Sequence, residues 1–173
     1  MSTRLAVLGL AFVLAACGPT DTYPMPVTAS GGARLPAAVG QPRHTVVLWI
    51  PARAGDRLEL VDAEAIGTLD GTTVELFASR PVAHADGTFV IGEALEPLEG
   101  VVIEPRGETP DPNDTVGIVV ELMADAPGRY EVTAIRLRYR LNDDVVRVRE
   151  GIDVVMTLCV EDPAPETCPE LED

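Results

Sequence analysis

The pattern that decides the fold lies in residues 128–160, GRYEVTAIRLRYRLNDDVVRVREGIDVVMTLCV. Apolar and polar residues alternate on both sides of a central Asn142-Asp143-Asp144. Alternation with a period of two is typical of strands that bury one face, and Asn and Asp are common turn residues. The stretch is therefore predicted to form a hairpin of two long antiparallel strands.

The first strand of this hairpin changes its apolar face partway along. Tyr130 and Val132 occupy even positions, but the later apolar residues occupy odd ones: Ile135, Leu137, Tyr139 and Leu141. A strand cannot change face without an extra residue, so a bulge is predicted near residues 133–135. The second strand keeps its apolar residues at even positions, namely Val146, Val148, Ile152, Val154, Met156, Leu158 and Val160.

The expected register of the hairpin gathers arginines on the face opposite its apolar residues. A two-residue loop at Asn142-Asp143 would pair Leu137 with Val148 and Tyr139 with Val146. Five arginines would then share one face: Arg136, Arg138, Arg140, Arg147 and Arg149. In this register Arg138 faces Arg147 and Arg136 faces Arg149, and like charges directly opposite destabilise a sheet.

Two interpretations of this arginine face remain open from the sequence. Glu131, Glu121 or Glu75 on neighbouring strands could neutralise the guanidinium groups within the chain. Alternatively, the face is a candidate anion-binding surface for a partner's carboxylates, a phosphate headgroup or an acidic envelope polymer, because arginine forks suit such groups.

Upstream of the hairpin the chain contains further short runs with strand character. They are residues 44–50, 57–61, 72–78, 89–91, 101–103 and 115–123. Residues 62–66 are the only helix candidate and are too short to form a significant helix. Such runs, separated by Gly, Pro, Asn and Asp, favour an antiparallel sandwich or barrel. We predict an all-β sandwich of about seven to eight strands across residues 43–160.

Residues 126–132, APGRYEV, resemble the entry to a late strand of immunoglobulin-like sandwiches. In those domains a tyrosine near the start of the strand hydrogen-bonds back to the preceding connection, the tyrosine corner. The resemblance implies an immunoglobulin-like fold and a structural role for Tyr130. The motif is short and implies no particular activity.

The N-terminus has the pattern of a processing signal. Arg4 supplies one positive charge, and residues 5–16 (LAVLGLAFVLAA) are small or apolar. Twelve residues span only about 18 Å as a helix, which suits a signal peptide better than a membrane-spanning helix. The run ends in LAAC, residues 14–17, which resembles the lipobox of bacterial lipoproteins.

The lipobox resemblance implies where the protein is located. Residues 1–16 would be removed as a lipoprotein signal peptide, and Cys17 would become the lipidated first residue. Two or more acyl chains anchor a protein stably where one does not. The protein would then lie in the bacterial cell envelope, on the outer side of the cytoplasmic membrane or, in a cell with two membranes, in the outer membrane facing the periplasm. The alternative is an ordinary secretory signal whose cleavage site contains a cysteine.

Two segments flank the predicted sandwich. Residues 17–42 are rich in Pro and Gly and are predicted to be a flexible linker of roughly 25–30 Å, with an edge strand near residues 25–29 as the alternative. Residues 161–173 form an acidic C-terminal tail. Cys159 and Cys168 are predicted to form a disulfide that ties this tail to the last strand, because an oxidising compartment permits one. Two free thiols or a metal pair are the alternatives.

The composition excludes one broad class of partner. The 173 residues suit a single domain, and 28 acidic against 13 basic residues give a formal charge of −15. Removing residues 1–16 takes away Arg4 and leaves 12 basic and 28 acidic residues, a charge of −16. Nucleic-acid affinity comes mainly from cations that neutralise phosphates, so nucleic acid is not an expected partner.

A search for catalytic and metal-binding patterns gives little. Nucleophilic catalysis needs a base beside the nucleophile; Ser30 and Ser79 lie in no such motif, and the available bases are His44 and His84. No His follows Cys159 with the spacing of a copper site, so no catalytic residue and no cofactor is predicted. Oxygen-bearing residues form a weak calcium candidate at Asp111, Asn113 and Asp114, although such residues are also common in turns.

These observations lead to one main expectation. The chain is predicted to be a lipid-anchored binding or scaffolding module of the cell envelope without enzymatic activity. Its partners would be the membrane, through lipid on Cys17, and an envelope protein or polymer. A small-ligand or calcium carrier is the alternative, and an enzyme acting on carbohydrate is a third, since 28 acids offer many carboxylate pairs.

Overall fold

The computed structural model describes residues 28–29, 32–83, 89–105 and 114–169, which form an all-β sandwich of two five-stranded sheets. The strands are β1 Thr28–Ala29, β2 Ala33–Ala38, β3 Arg43–Pro51, β4 Leu58–Thr68, β5 Thr72–Ala83, β6 Phe89–Pro97, β7 Val102–Ile103, β8 Thr115–Ala124, β9 Gly128–Leu141 and β10 Val146–Glu161. The predicted immunoglobulin-like sandwich is confirmed. Eight of these strands are longer than two residues.

The chain moves repeatedly between the two sheets. The first sheet has the order β1-β3-β8-β5-β6 and the second has the order β2-β10-β9-β4-β7. Because β3 and β4, β4 and β5, and β8 and β9 belong to different sheets, these connections cross the sandwich. The connections β5-β6 and β9-β10 join neighbouring strands, and β9-β10 is the predicted hairpin.

The core lies between the sheets and consists of alternate residues from each strand. The first sheet contributes fully buried side chains that include Leu48, Ile50, Ile118 and Leu122. The second contributes Leu58, Leu60, Ile135, Leu137, Tyr139, Met156 and Leu158. Each such side chain stabilises the fold by about 1.5–3 kcal/mol relative to an exposed one. Met156 also packs in this core.

The sandwich begins earlier than the sequence predicted. Residues 17–42 were expected to be linker, with an edge strand near residues 25–29 as the alternative. The strand β1 is an edge strand in that place and pairs with β3, and β2 pairs in parallel with Met156–Glu161 of β10. Every other pairing among the described strands is antiparallel. Pro36 is tolerated because β2 is an edge strand, where a missing N–H can face solvent. The helix candidate at residues 62–66 is part of β4.

The predicted bulge in β9 is confirmed. Consecutive residues Ile66 and Gly67 of β4 pair with Ala134 and Val132, so Thr133 is the extra residue. The Thr133 hydroxyl donates a hydrogen bond of 3.3 Å to the Ile66 carbonyl. The two backbones approach closely here, because a Cβ on Gly67 would lie 1.8 Å from the Glu131 carbonyl oxygen.

The turn of the hairpin is as predicted, but its register is not. Asn142 and Asp143 have φ of 53° and 60°, and the Asp144 N–H donates to the Leu141 carbonyl at 3.1 Å. This geometry matches a type I′ turn. One extra residue then precedes β10, so that Tyr139 pairs with Arg147 and not with Val146.

A second irregularity restores the expected face of β10. The register shifts between Arg149 and Ile152, and Gly151 has a positive φ of 56°. Val148, before this bulge, is exposed, whereas Ile152 and the even-numbered residues after it are buried. The single apolar face predicted for β10 therefore holds only from Ile152 onward.

Two predicted structural contacts are present. The Tyr130 hydroxyl donates a hydrogen bond of 3.0 Å to the Ala126 carbonyl, which is the tyrosine corner. Cys159 and Cys168 form a disulfide with a Cα–Cα distance of 5.4 Å. The Arg129 guanidinium also donates to the Pro169 carbonyl at 2.9 Å, so the tail is held at two points.

Candidate binding surfaces

Three arginines of β9 form a charge ladder with β4 on the outer face of the second sheet. In the register, Arg136, Arg138 and Arg140 lie directly opposite Glu64, Asp62 and Glu59. The Arg140–Glu59 distance is 3.0 Å and the Arg138–Asp62 distance is 3.8 Å, and Arg136 also pairs with Glu64. We call these three pairs the arginine ladder. Opposite charges in directly facing positions stabilise a sheet.

Arg136 is the most strongly bound member of the arginine ladder. Its Nε donates to Glu150 of β10 at 2.5 Å while its Nη1 donates to Glu64 of β4, so it bridges three strands. The hydrogen bond to Glu150, followed by the one to Glu64, raises the pKa of the Arg136 guanidinium. The internal partners are thus Glu59, Asp62, Glu64 and Glu150, and not the Glu131, Glu121 and Glu75 expected from the sequence.

Arg147 and Arg149 do not share the face of the arginine ladder, which corrects the five-residue surface predicted above. They pair with Tyr139 and Leu137, so they project to the core side of β10. The cause is the extra residue after the turn, since a shift of one position moves a side chain to the other face. Arg147 also lies 3.3 Å from Asp144. Charged side chains that point inward commonly protect an exposed strand edge from pairing with another chain. This part of β10 is such an edge among the described strands, because β2 pairs with β10 only from Met156 onward.

Replacing Arg136 by Ala should lower the melting temperature by about 1–3 °C, because Glu64 on β4 and Glu150 on β10 both lose the cation that lies between them. Arg138→Ala is the matched control, since its contact with Asp62 is long and it should change stability less. Thermal unfolding at low and high salt measures both. The internal role of the arginine ladder would be refuted if Arg136→Ala were silent at low salt, where surface ion pairs are least screened.

The candidate calcium ligands are only partly visible. Asp111 and Asn113 lie outside the described residues, and Asp114 is buried at the start of β8. The carboxylates of the hairpin turn are paired with arginines, Asp143 with Arg57 and Asp144 with Arg147. Among the described residues no group of three or more His, Cys, Asp or Glu side chains is placed to hold a metal ion.

The described candidates for nucleophilic catalysis are not brought together. Ser79 is fully buried on β5 opposite Gly117, whereas His44 lies on β3 opposite Glu121, two rows away on the same face. Ser30 and His84 lie outside the described residues. Of the residues that the structure describes, no helix is long and apolar enough to cross a membrane.

Sequence reasoning missed a surface on the outer face of the first sheet. Across three neighbouring strands, His44, Glu121 and Glu75 lie side by side, and we call them the acidic row. The next row holds Val46, Val119 and Phe77, and the one after it holds Trp49 beside Gly117. Glu75 and Glu121 are directly opposite each other, and the His44 Nδ1 atom is 3.7 Å from Glu121. The pairing of β5 with β8 brings Glu75 next to Glu121, and the sequence does not show that these two strands are neighbours.

No protein-family model matches this chain, and no characterised protein matches it either. The fold and the two outer faces are therefore the basis for the functional proposals below.

Proposed function

We propose that this chain is a lipid-anchored binding or scaffolding module of the bacterial cell envelope without enzymatic activity. The observation that carries the proposal is the short distance along the chain between Cys17 and the first strand. The lipobox-like residues 14–17 are followed by only ten residues before β1 begins at Thr28. From Thr28 onward, the described chain belongs to one sandwich and its disulfide-bonded tail.

The length of this connection supports a role close to the membrane surface. Ten residues reach at most about 36 Å when fully extended. Since Thr28 pairs with Trp49 near the end of β3, the chain enters the sandwich at the end that carries the β3–β4 and β9–β10 turns. The β8–β9 turn and the disulfide lie at the opposite end, which would point away from the bilayer.

The proposal that the module binds rather than catalyses rests on its surfaces. The sandwich presents two broad outer faces, one with a balanced arginine ladder and one with aromatic and acidic side chains. The Ser79 side chain is fully buried, which is unsuitable for attack on a substrate. An envelope protein or polymer that meets one of these faces is the partner we propose.

Replacing Cys17 by Ser should abolish lipidation and move the protein out of the membrane fraction. Mass spectrometry of the N-terminal peptide should find acyl chains on Cys17 of the natural protein and none in the variant. Cys168→Ser is the control, since it also removes one cysteine but should leave the lipid in place. A natural protein that is cleaved, unmodified at Cys17 and soluble would contradict the proposed anchor and favour an ordinary secretory signal.

A further inference from the structure

Charged residues are paired differently on the two outer faces of the sandwich. On the second sheet, Glu59, Asp62 and Glu64 each lie opposite an arginine. On the first sheet, a glutamate lies opposite a glutamate, Glu75 against Glu121. Directly opposed residues have Cβ atoms about 4.5–5.5 Å apart, and like charges there destabilise the sheet.

The acidic row has little compensation within the chain. Glu75 is exposed, and its carboxylate makes no hydrogen bond or ion pair in the part of the chain that the structure describes. Glu121 has His44 as its neighbour at 3.7 Å, and the His44 side chain is itself half exposed. A pair of opposed carboxylates that the fold leaves unneutralised is suited to a cation supplied from outside.

An apolar depression adjoins the acidic row. It has a volume of about 600 Å³, and Glu75 and Phe77 of β5 belong to its lining. Leu76 and Leu98 add apolar surface, while Asp62 and Glu99 add carboxylates. Arg138 also belongs to the lining of this depression, but its guanidinium lies 3.8 Å from the Asp62 carboxylate. The depression and the acidic row therefore form one continuous surface that shares Glu75.

From these contacts we infer that the surface running from the acidic row to this depression, which residues of both sheets line, binds a basic, partly apolar segment of a partner protein. Arginine or lysine side chains of the segment contact Glu75 and Glu121, and an apolar side chain enters the depression beside Phe77. Charge complementarity selects this occupant, because the opposed glutamates and Glu99 favour cations and the apolar lining favours hydrophobic side chains. The inference deepens the proposed function by naming the chemistry of the partner.

A tryptophan on this face allows binding to be measured by its fluorescence. Trp49 is the only tryptophan of the chain and lies on the same face, with its ring packed over Gly117. A segment that covers the face should change the environment of this partly buried indole. Binding elsewhere on the protein should leave the Trp49 emission unchanged.

The test uses the full chain and a short synthetic peptide that alternates arginine and leucine. We expect saturable binding with a change in Trp49 emission, and binding about tenfold weaker in the Glu75→Gln/Glu121→Gln variant. The matched control is Glu161→Gln/Glu166→Gln, which removes the same charge from exposed positions at the C-terminal end and should bind like the natural protein. A peptide with citrulline in place of arginine should not bind.

The Glu75→Gln/Glu121→Gln variant is expected to be more stable than the natural protein, so weaker peptide binding by this variant cannot be attributed to unfolding. Removing the repulsion between Glu75 and Glu121 should raise the melting temperature by about 1–3 °C. Equal weakening in both double variants, unchanged Trp49 emission on binding, or no binding would each overturn the inference. The lipid on Cys17 is measured separately, so failure of this test and failure of the proposed anchor remain distinct results.

Discussion

Replacing Gly67 by Ala should destabilise the domain by about 3 kcal/mol or more, or prevent it from folding. A Cβ at this position would lie 1.8 Å from the Glu131 carbonyl oxygen and 2.8 Å from its carbonyl carbon. These are backbone atoms of β9 at the point where Thr133 bulges, so no side-chain rotation relieves the clash. The two strands must separate locally, which disrupts the pairing of β4 with β9.

Gly117→Ala is the matched control for this prediction. Its Cβ would lie 2.7 Å from the Trp49 ring, which is also too close. The atoms it meets belong to the outer end of the partly buried Trp49 side chain, which can shift where a backbone cannot, so the cost should be much smaller. Urea unfolding of both variants measures the difference, and equal losses would show that the β4–β9 approach is not as tight as described.

Local sequence patterns predicted the features of the hairpin that depend on neighbouring residues. The parity change between Val132 and Ile135 requires an extra residue wherever the strand pairs, and the bulge lies at Thr133. Asn142 and Asp143 adopt positive φ as turn residues do. The predicted register was wrong because one extra residue after the turn moves the side chains of residues 146–149 to the opposite face, and nothing in the alternation of these residues marks it.

Features that depend on distant pairing were beyond the sequence. The strand β2 contains Pro36 and lies parallel to β10, more than a hundred residues away, so no hairpin signal announces it. The order of strands likewise decides which acids meet the arginines. The acids Glu59, Asp62 and Glu64 do not have the two-residue spacing of the β9 arginines. They meet them because the register shifts by one residue between Leu60 and Asp62, which the sequence of β4 does not show.

The register also changes what the arginines can do. Five arginines on one face would have formed a strongly cationic surface suited to anions. With Arg147 and Arg149 on the core side, the remaining three each lie opposite a carboxylate, and the second sheet's outer face is close to neutral along the arginine ladder. On the first sheet, by contrast, Glu75 and Glu121 oppose each other, which is why the expected partner changes from an anion to a cation.

Removing the disulfide should have the other large effect on stability. Cys168→Ser should lower the free energy of unfolding by about 2.5–3 kcal/mol, because the bond closes a short loop that is otherwise free in the unfolded chain. The bond joins residues nine positions apart and ties the tail to the buried end of β10, where Cys159 is 8% exposed.

Glu166→Gln, within the same loop, is the control for the loss of the disulfide and should be neutral. Urea unfolding with and without reductant completes the test, since reductant should destabilise the natural protein by the same amount and leave Cys168→Ser unchanged. A natural protein whose stability is indifferent to reductant would show that the tail contributes nothing through this bond, and that the Arg129 contact with Pro169 holds it instead.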